Sequence, residues 1–170
     1  KIPCLGIEPT LSTAKKAEEL GIICEKIFLT KENANKIMNK YEKADLIIGN
    51  NVYAHVPDIN DFTSSLEMLL KENGIITLEF PHLLNLLKFN QFDTIYHEHF
   101  SYLSLSVVKK VFEKNNLMIF NVDKLSTHGG SIRVYGCKKN SSRKISKTVK
   151  NLLEEELQFG LENINIYKNF

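Results

Sequence analysis

Four titratable side chains stand next to one another in the central segment, residues 90–102. They are Tyr96, His97, Glu98 and His99: a phenol, two imidazoles and a carboxylate. A packed core does not tolerate so many titratable groups without partners, and such a cluster is typical of acid/base chemistry. In an extended segment Tyr96 and Glu98 would face one side and both histidines the other, whereas in a helix all four would fan around one turn. Two other interpretations stay open: a solvated polar loop with capping histidines, and half of a metal site.

Further polar side chains stand where predicted strands end. Glu8 ends the first predicted strand, and residues 79–82 end the fourth. Asn50 and Asn51 end the third, with His55 shortly after them. Ligands bind beyond the carboxyl ends of the strands in open α/β sheets, so these side chains are candidates for ligand contacts. A carboxylate at such a strand tip can accept hydrogen bonds from a ribose diol, but Glu8 equally suits a helix N-terminus, where the dipole favours an acid. The alternative for the stretch after Asn51 is a turn that leads into a helix capped by Asp58.

These side chains must be positioned by a chain that alternates between strands and helices. Apolar runs predict strands at residues 4–7, 22–29, 44–50 and 75–80, and helical periodicity predicts helices at residues 11–20, 32–41 and 58–70, the last closed by Asn73 and Gly74. The 44–50 run shows no alternation, which predicts a strand covered on both faces. Later patterns predict a helix at 106–114, strands at 117–123 and 131–138, and a helix at 142–167 that leads out of the domain. The repeated strand–helix units predict a mostly parallel, doubly wound α/β sheet whose last strand is antiparallel.

The composition is that of one globular domain. The chain has 170 residues, 43% of them hydrophobic, and a formal net charge of +2 with scattered basic residues, so we expect no nucleic-acid partner. Cys4, Cys24 and Cys137 stand far apart, which argues against a disulfide framework or a zinc site in this segment and favours a reducing compartment. Because no apolar run approaches a membrane span and no leader opens the chain, we expect a cytoplasmic protein without a membrane partner. The pattern leaves the oligomeric state open.

Five segments resemble one enzyme family. They are GIEPT at residues 6–10, ADLIIGNNVYAHVPDINDF at 44–62, ITLEFPHLL at 76–84, QFDTIYHEHFSYLS at 91–104 and THGGSIRVY at 127–135. Together they resemble the nucleotide-sugar C-methyltransferases, which use S-adenosylmethionine to methylate a ring carbon of dTDP-4-keto-deoxysugars. The resemblance covers most of the chain as far as Lys138, and the AHVPD and YHEHF segments distinguish this family from other methyltransferases.

The resemblance implies the Rossmann-like fold of class I S-adenosylmethionine-dependent methyltransferases within a three-part enzyme. That enzyme has an N-terminal zinc-binding domain, a central methyltransferase domain and a C-terminal domain that completes the substrate site. We therefore expect a methyltransferase domain at residues 1–140 and, at 141–170, a helical segment that leads to an absent C-terminal domain. The family's first strand and glycine-rich cofactor loop would precede Lys1, which would leave a gap between the first and third strands predicted here. We expect a fragment of a longer enzyme that does not turn over alone, with zinc only in the absent N-terminal domain.

The resemblance also implies a role for each polar group of the central segment. His99 would be the general base that removes a hydrogen from the carbon next to the sugar's ketone, to form an enolate that accepts the methyl group. Tyr96 and Glu98 would support this base or the enolate oxygen. His55 would approach the same sugar from the other wall of the site, whereas His97 would face away and structure the loop.

On the cofactor side, the resemblance implies that Glu8 binds the ribose hydroxyls of S-adenosylmethionine. Asn50 and Asn51 would line the place where cofactor and sugar meet. The HGGS run at residues 128–131 could let the backbone approach the substrate closely, but a plain turn is the interpretation that its spacing favours.

Three other functions stay in view. A nicotinamide-dependent oxidoreductase would share the sheet and the acid at Glu8, because a fold does not dictate a function. A non-catalytic, methyltransferase-like binding module would keep the sheet after its site had decayed, but the intact HEH and AHVPD segments speak against it. A metal site at residues 97–99 is disfavoured, since adjacent side chains diverge too far to share one ion, and we expect no metal in this chain.

Overall fold

The computed structural model of the chain describes residues 2–170. Its strands are β1 (Leu5–Ile7), β2 (Ile23–Glu25), β3 (Ala44–Asn50), β4 (Leu70–Pro81), β5 (Leu117–Leu125) and β6 (Ser131–Lys138). Its α-helices are α1 (Leu11–Glu19), α2 (Lys31–Met38), α3 (Ile59–Leu69), α4 (Leu83–Lys88), α5 (Leu105–Lys114) and α6 (Lys147–Phe159). Strands and helices therefore alternate along most of the chain, as the sequence predicts.

The strands form two sheets. One sheet pairs β1 with β2 in parallel, and the other has the order β3-β4-β6-β5. In the larger sheet β3 and β4 run parallel, while β6 lies antiparallel to both β4 and β5. Strands β3, β4 and β5 therefore point the same way and β6 alone is reversed, which confirms a mostly parallel sheet with an antiparallel last strand.

Most of the core lies between the larger sheet and the helices α3, α5 and α6. Strand β4 contributes Ile76, Leu78 and Phe80, all fully buried, and α5 contributes Phe112. The side chains of Asp58, Ser104 and Ser146 accept hydrogen bonds from backbone amides in the first turns of α3, α5 and α6. Each of these residues therefore caps the N-terminus of its helix.

A smaller core joins the two sheets. Ala34 and Ile37 of α2 and Leu69 of α3 are buried in it, and partly buried apolar side chains of β1 and β3 pack against them, including Ile7 and Ile47. One helical layer thus covers both sheets, although β1 and β3 are not hydrogen-bonded neighbours within residues 2–170.

Several predicted boundaries and one burial pattern were wrong. Strand β2 has three residues instead of the predicted run at 22–29. The helix predicted to close at Asn73 and Gly74 ends at Leu69, because buried Leu70 already pairs with Ala44 as the start of β4. Helix α4 was not predicted at all.

Strand β3 is also not covered on both faces in the part of the chain that the structure describes. Leu46 is 52% and Ile48 63% exposed, and the two side chains point to the same face of the strand. The tail helix is shorter than predicted and ends at Gly160, which has a φ of 90°. It packs onto the domain, with Val149 and Leu152 in the main core. That residues 141–170 lead to a further domain stays a prediction.

Candidate active site

A pocket of about 360 Å³ opens beside the carboxyl ends of β3 and β4. Four segments line it: the turn after β3, the end of β4, the central segment, and the loop between β5 and β6. Their contributions include Asn51, His55, Pro81, Tyr96, His99 and His128. Of the four predicted catalytic residues, the pocket therefore contains His55, Tyr96 and His99. Of the three predicted cofactor residues, it contains Asn51.

The imidazole of His99 has a different partner at each nitrogen. Nδ1 lies 2.8 Å from the backbone oxygen of Thr94, and Nε2 lies 3.1 Å from the hydroxyl of Tyr96. A carbonyl oxygen can only accept a hydrogen bond, so Nδ1 carries the hydrogen of the neutral ring and Nε2 keeps a lone pair. The Tyr96 hydroxyl therefore donates to Nε2, and His99 has the tautomer that a general base on the pocket wall needs.

The local backbone explains why Tyr96 and His99 meet. The amide of His99 donates to the backbone oxygen of Tyr96 at 3.1 Å, which closes a turn with His97 and Glu98 at its exposed tip. The segment is therefore neither extended nor helical, and both of those alternatives were wrong. Neither His97 nor Glu98 is among the described residues that line the pocket, so the structure does not place Glu98 beside the base.

The turn Tyr53–His55 contacts the central segment through a backbone hydrogen bond and a pair of packed rings. The amide of Phe100 donates to the backbone oxygen of Ala54 at 2.9 Å, and the ring of His55 packs edge-on against that of His99 with centroids 4.7 Å apart. Tyr53 anchors the turn, because its buried hydroxyl lies 2.6 Å from that of Thr63 on α3. His55 therefore lines the same pocket as His99, and its approach to the sugar stays a prediction.

The predicted cofactor residues are spread along the same edge. Glu8 directly follows β1 and accepts from the amide of Thr10 at 2.8 Å, which is the helix-terminal arrangement that the sequence left open. Asn50 ends β3 and is exposed. Asn51 lines the pocket with a left-handed backbone, φ 54°, and its amide donates to the backbone oxygen of Glu79 at 2.8 Å.

Glu79, at the end of the fourth predicted strand, is a buried residue whose anchoring role the sequence did not predict. It is 4% exposed, and its carboxylate accepts from Arg133 at 2.7 Å and from the hydroxyl of Thr127 at 3.1 Å. The hydrogen bond with Glu79 raises the pKa of the Arg133 guanidinium. Glu79 and Arg133 stand opposite each other in the β4–β6 ladder, so their pairing follows from a register that no local pattern reveals. One residue at the end of β4 thereby holds both Asn51 and the β5–β6 loop.

A second buried pair lies behind the pocket. His82 follows β4, and its Nε2 lies 2.7 Å from the carboxylate of Glu156 on α6, with each residue 2% exposed. Glu156 also accepts from the amides of Leu105 and Ser106 at 2.6 and 2.8 Å. Burial raises the pKa of Glu156, but its hydrogen bonds to His82 and the two amides outweigh burial and hold that pKa below its usual value. The sequence places His82 at the end of the fourth predicted strand, but no local pattern pairs it with Glu156.

Residues 2–170 contain neither a metal-binding cluster nor a membrane-spanning helix. They contain no cluster of three or more histidine, cysteine or acidic side chains suited to a metal ion. They also contain no helix that is both long and apolar enough to cross a bilayer.

Comparisons with known proteins match this architecture. The family model described as a methyltransferase domain matches residues 2–122, and the model described as a C-methyltransferase C-terminal domain matches residues 126–170. The C-methyltransferase NovU of Streptomyces niveus is 34% identical over 166 residues, which cover 98% of this chain. The chain spans 40% of the length of that curated relative. These findings confirm the resemblance to C-methyltransferases.

Solved structures of more distant proteins share the fold. A methyltransferase of Thermotoga maritima, described as a possible histamine N-methyltransferase, superposes with a TM-score of 0.64 at 16% identity, over 81% of this chain and 73% of its own. Magnesium protoporphyrin IX methyltransferase of Synechocystis has a TM-score of 0.53 at 17% identity, over 79% of this chain and 63% of its own. The fold is therefore the class I methyltransferase fold, and the chain belongs to the methyltransferase domain family.

Proposed function

We propose that this chain forms the methyltransferase domain of an S-adenosylmethionine-dependent C-methyltransferase. Its acceptor would be a dTDP-4-keto-deoxysugar, methylated at C3, the carbon next to the ketone. The observation that carries the proposal is His99, a ring with its tautomer set by Thr94 and its basic nitrogen beside Tyr96, in a pocket at the carboxyl ends of the strands. The similarity to NovU supports transfer to carbon.

His99 would act as the general base. A ketone acidifies the hydrogens on the neighbouring carbon, and Nε2 would take one of them to leave an enolate. The Tyr96 hydroxyl occupies the Nε2 lone pair at 3.1 Å, so this hydrogen bond must open when the acceptor enters. General-base catalysis of this kind contributes about 10²–10⁴-fold. The hydrogen bond from Nδ1 to Thr94 persists throughout and stabilises the imidazolium that forms.

The residues at the strand tips fit a nucleoside cofactor. The second carboxylate oxygen of Glu8 has no hydrogen-bond partner within residues 2–170, so it is available to ribose hydroxyls. Asn50 and Asn51 would contact the cofactor where it meets the acceptor. S-adenosylmethionine, when bound, supplies an electrophilic methyl group.

Calorimetric titration tests this proposal directly. S-adenosylhomocysteine and, separately, NAD are titrated into the longest native protein that contains the chain. Selective binding of S-adenosylhomocysteine supports the methyltransferase, whereas binding of NAD alone would favour the oxidoreductase. Binding of neither would favour a decayed site. Methylation of a dTDP-4-keto-deoxysugar, followed by mass spectrometry, then tests the acceptor.

A further inference from the structure

We propose that His128 binds the ketone oxygen of the acceptor and donates the hydrogen bond that stabilises the enolate. This proposal rests on the proposed function, since it gives the same pocket a second catalytic residue. It arises from the HGGS run, for which the sequence favoured a plain turn. The run does form a turn, and the structure also places His128 on the wall of the pocket that contains His99.

The backbone of His128 has an unusual conformation. Its φ is 51° and its ψ 43°, and the next two residues, Gly129 and Gly130, have φ values of 73° and 115°. The left-handed region is uncommon for a residue other than glycine, and such residues persist only where their surroundings enforce them. A loop that needed only to reverse direction could have used a third glycine at position 128.

The surroundings do enforce this loop. The side chain of Gln91 donates to the backbone oxygen of Gly129 at 2.7 Å, and that of Asn85 donates to the oxygen of Gly130 at 3.2 Å. A β-carbon at position 129 would lie 2.5 Å from the Gln91 amide nitrogen, and one at position 130 would lie 2.3 Å from the Asn85 amide nitrogen. The two amide side chains therefore occupy the space next to the glycines, and they fix the loop that presents His128.

The imidazole of His128 is free to act as a donor. It is exposed and has no hydrogen-bond partner in the described part of the chain. The Gln91 amide on the same wall is engaged, because it donates to the backbone oxygen of Gly129. His55 packs edge-on against His99, so it is held beside the base. His128 lies in a loop separate from the segments that carry His99 and His55, so it can bind a group of the acceptor that His99 does not contact.

The step can be written in full. The C–H bond next to the ketone breaks, and its proton moves to Nε2 of His99. The electron pair of that bond becomes the carbon–carbon double bond of the enolate, and the carbonyl π pair moves onto oxygen. An N–H group of His128 donates to this oxygen as its negative charge develops, which lowers the barrier in the manner of an oxyanion hole.

The test measures enolate formation without methyl transfer. The longest native protein containing the chain is incubated in D₂O with S-adenosylhomocysteine and a dTDP-4-keto-deoxysugar, and exchange of the hydrogen next to the ketone is followed by NMR. We expect His128→Gly to slow exchange by about 10²–10³-fold, because a donor to the oxyanion is lost. Glycine also favours the left-handed backbone, so this variant should be at least as stable as the wild type. His128→Asn, which keeps a donor and tolerates this backbone, should retain part of the rate.

Asn116→Gly is the matched control. Asn116 has a φ of 57° in the turn between α5 and β5. This substitution therefore also replaces a residue of left-handed backbone by glycine, but in a different loop. It should leave exchange unchanged. Wild-type exchange by His128→Gly would overturn the role of His128 alone. A wild-type protein that neither binds S-adenosylhomocysteine nor exchanges the hydrogen would overturn the proposed function and, with it, the role of His128.

Discussion

At the scale of single residues, the properties of His99 depend on what each ring nitrogen contacts. The Thr94 carbonyl accepts from Nδ1 and so leaves Nε2 as the basic atom. Tyr96 reaches that atom because a tight turn brings residues three apart face to face. The same turn sends Glu98 to its exposed tip, which separates two residues that the sequence grouped into one centre.

Replacement of His99 tests the base. In the longest native protein containing this chain, we expect His99→Ala to lower kcat for methylation by about 10²–10⁴-fold, because the proton acceptor is lost. The Kd for S-adenosylhomocysteine, measured by calorimetry, should stay unchanged. His97→Ala is the matched control, since His97 is exposed and outside the pocket lining. Retained turnover by His99→Ala would refute its role as the base.

Replacement of Glu8 tests the proposed ribose contact. Hydrogen bonds to charged groups contribute about 1.5–3 kcal/mol, so Glu8→Ala should weaken S-adenosylhomocysteine binding by roughly ten- to a hundredfold. Glu19→Ala, which removes an exposed carboxylate at the end of α1, should leave the calorimetric Kd unchanged. Equal affinities for the wild type and the Glu8 variant would rule out the ribose contact.

At the scale of the elements, Glu156 joins α6 to the start of α5 and to the residue that follows β4. Its carboxylate receives three hydrogen bonds, from His82, Leu105 and Ser106, in a fully buried position. The amide of His82 in turn donates to the backbone oxygen of Gly130 at 3.2 Å. Helix α6 is therefore tied through one side chain to segments on two sides of the pocket.

The pH dependence of stability tests this connection. The folded-state pKa of Glu156 is lowered, so its stabilising contribution is present above the unfolded-state pKa of about 4.3 and is lost as the pH falls through the folded-state value. At pH 7 we expect Glu156→Gln to lower the free energy of unfolding by about 3–5 kcal/mol, as when one partner of a buried pair is removed. Urea titrations from pH 7 to pH 3 should show this difference shrinking below about pH 4.3.

Glu155→Gln controls for the loss of a neighbouring charge. Glu155 pairs with Lys124 at the surface, where such pairs contribute about 0–1 kcal/mol. A difference between wild type and Glu156→Gln that stayed constant down to pH 3 would show that the carboxylate charge of Glu156 does not stabilise the fold.

At the scale of the whole molecule, the two sheets differ in how firmly they are held. Strands β4 and β6 lie inside the larger sheet and contribute many fully buried side chains, whereas β1 and β2 have three residues each and none of them is buried. The small core around α2 is what connects the two sheets.

Amide hydrogen exchange should report this difference. We expect β1 and β2 to exchange through local opening well before β4 and β6, because few buried contacts oppose their opening. Mass spectrometry of peptides from each strand measures the order, with helix α5, which contributes Phe112 to the main core, as an internal reference. Equal protection of all four strands would contradict two sheets of unequal stability.

Much of the fold follows from local patterns in the sequence. Strands β3 and β6 begin and end at the predicted residues, since apolar runs and flanking turn residues act over short distances. Their directions follow from the connections, because a helix joins β3 to β4 whereas only a short loop joins β5 to β6. The sequence likewise predicted that Asn51 and His55 lie at the carboxyl ends of the strands, and the family resemblance placed Tyr96 and His99 in the same site, where all four line one pocket.

Only the tertiary structure decided how these groups are held and which of them face the pocket. Glu79 meets Arg133, and His82 meets Glu156, across 54 and 74 residues of sequence. Such pairs depend on sheet register and helix packing, which side chains distant along the chain determine together. The left-handed backbone of His128 likewise depends on Gln91 and Asn85, and no local pattern at residues 128–131 contains that information.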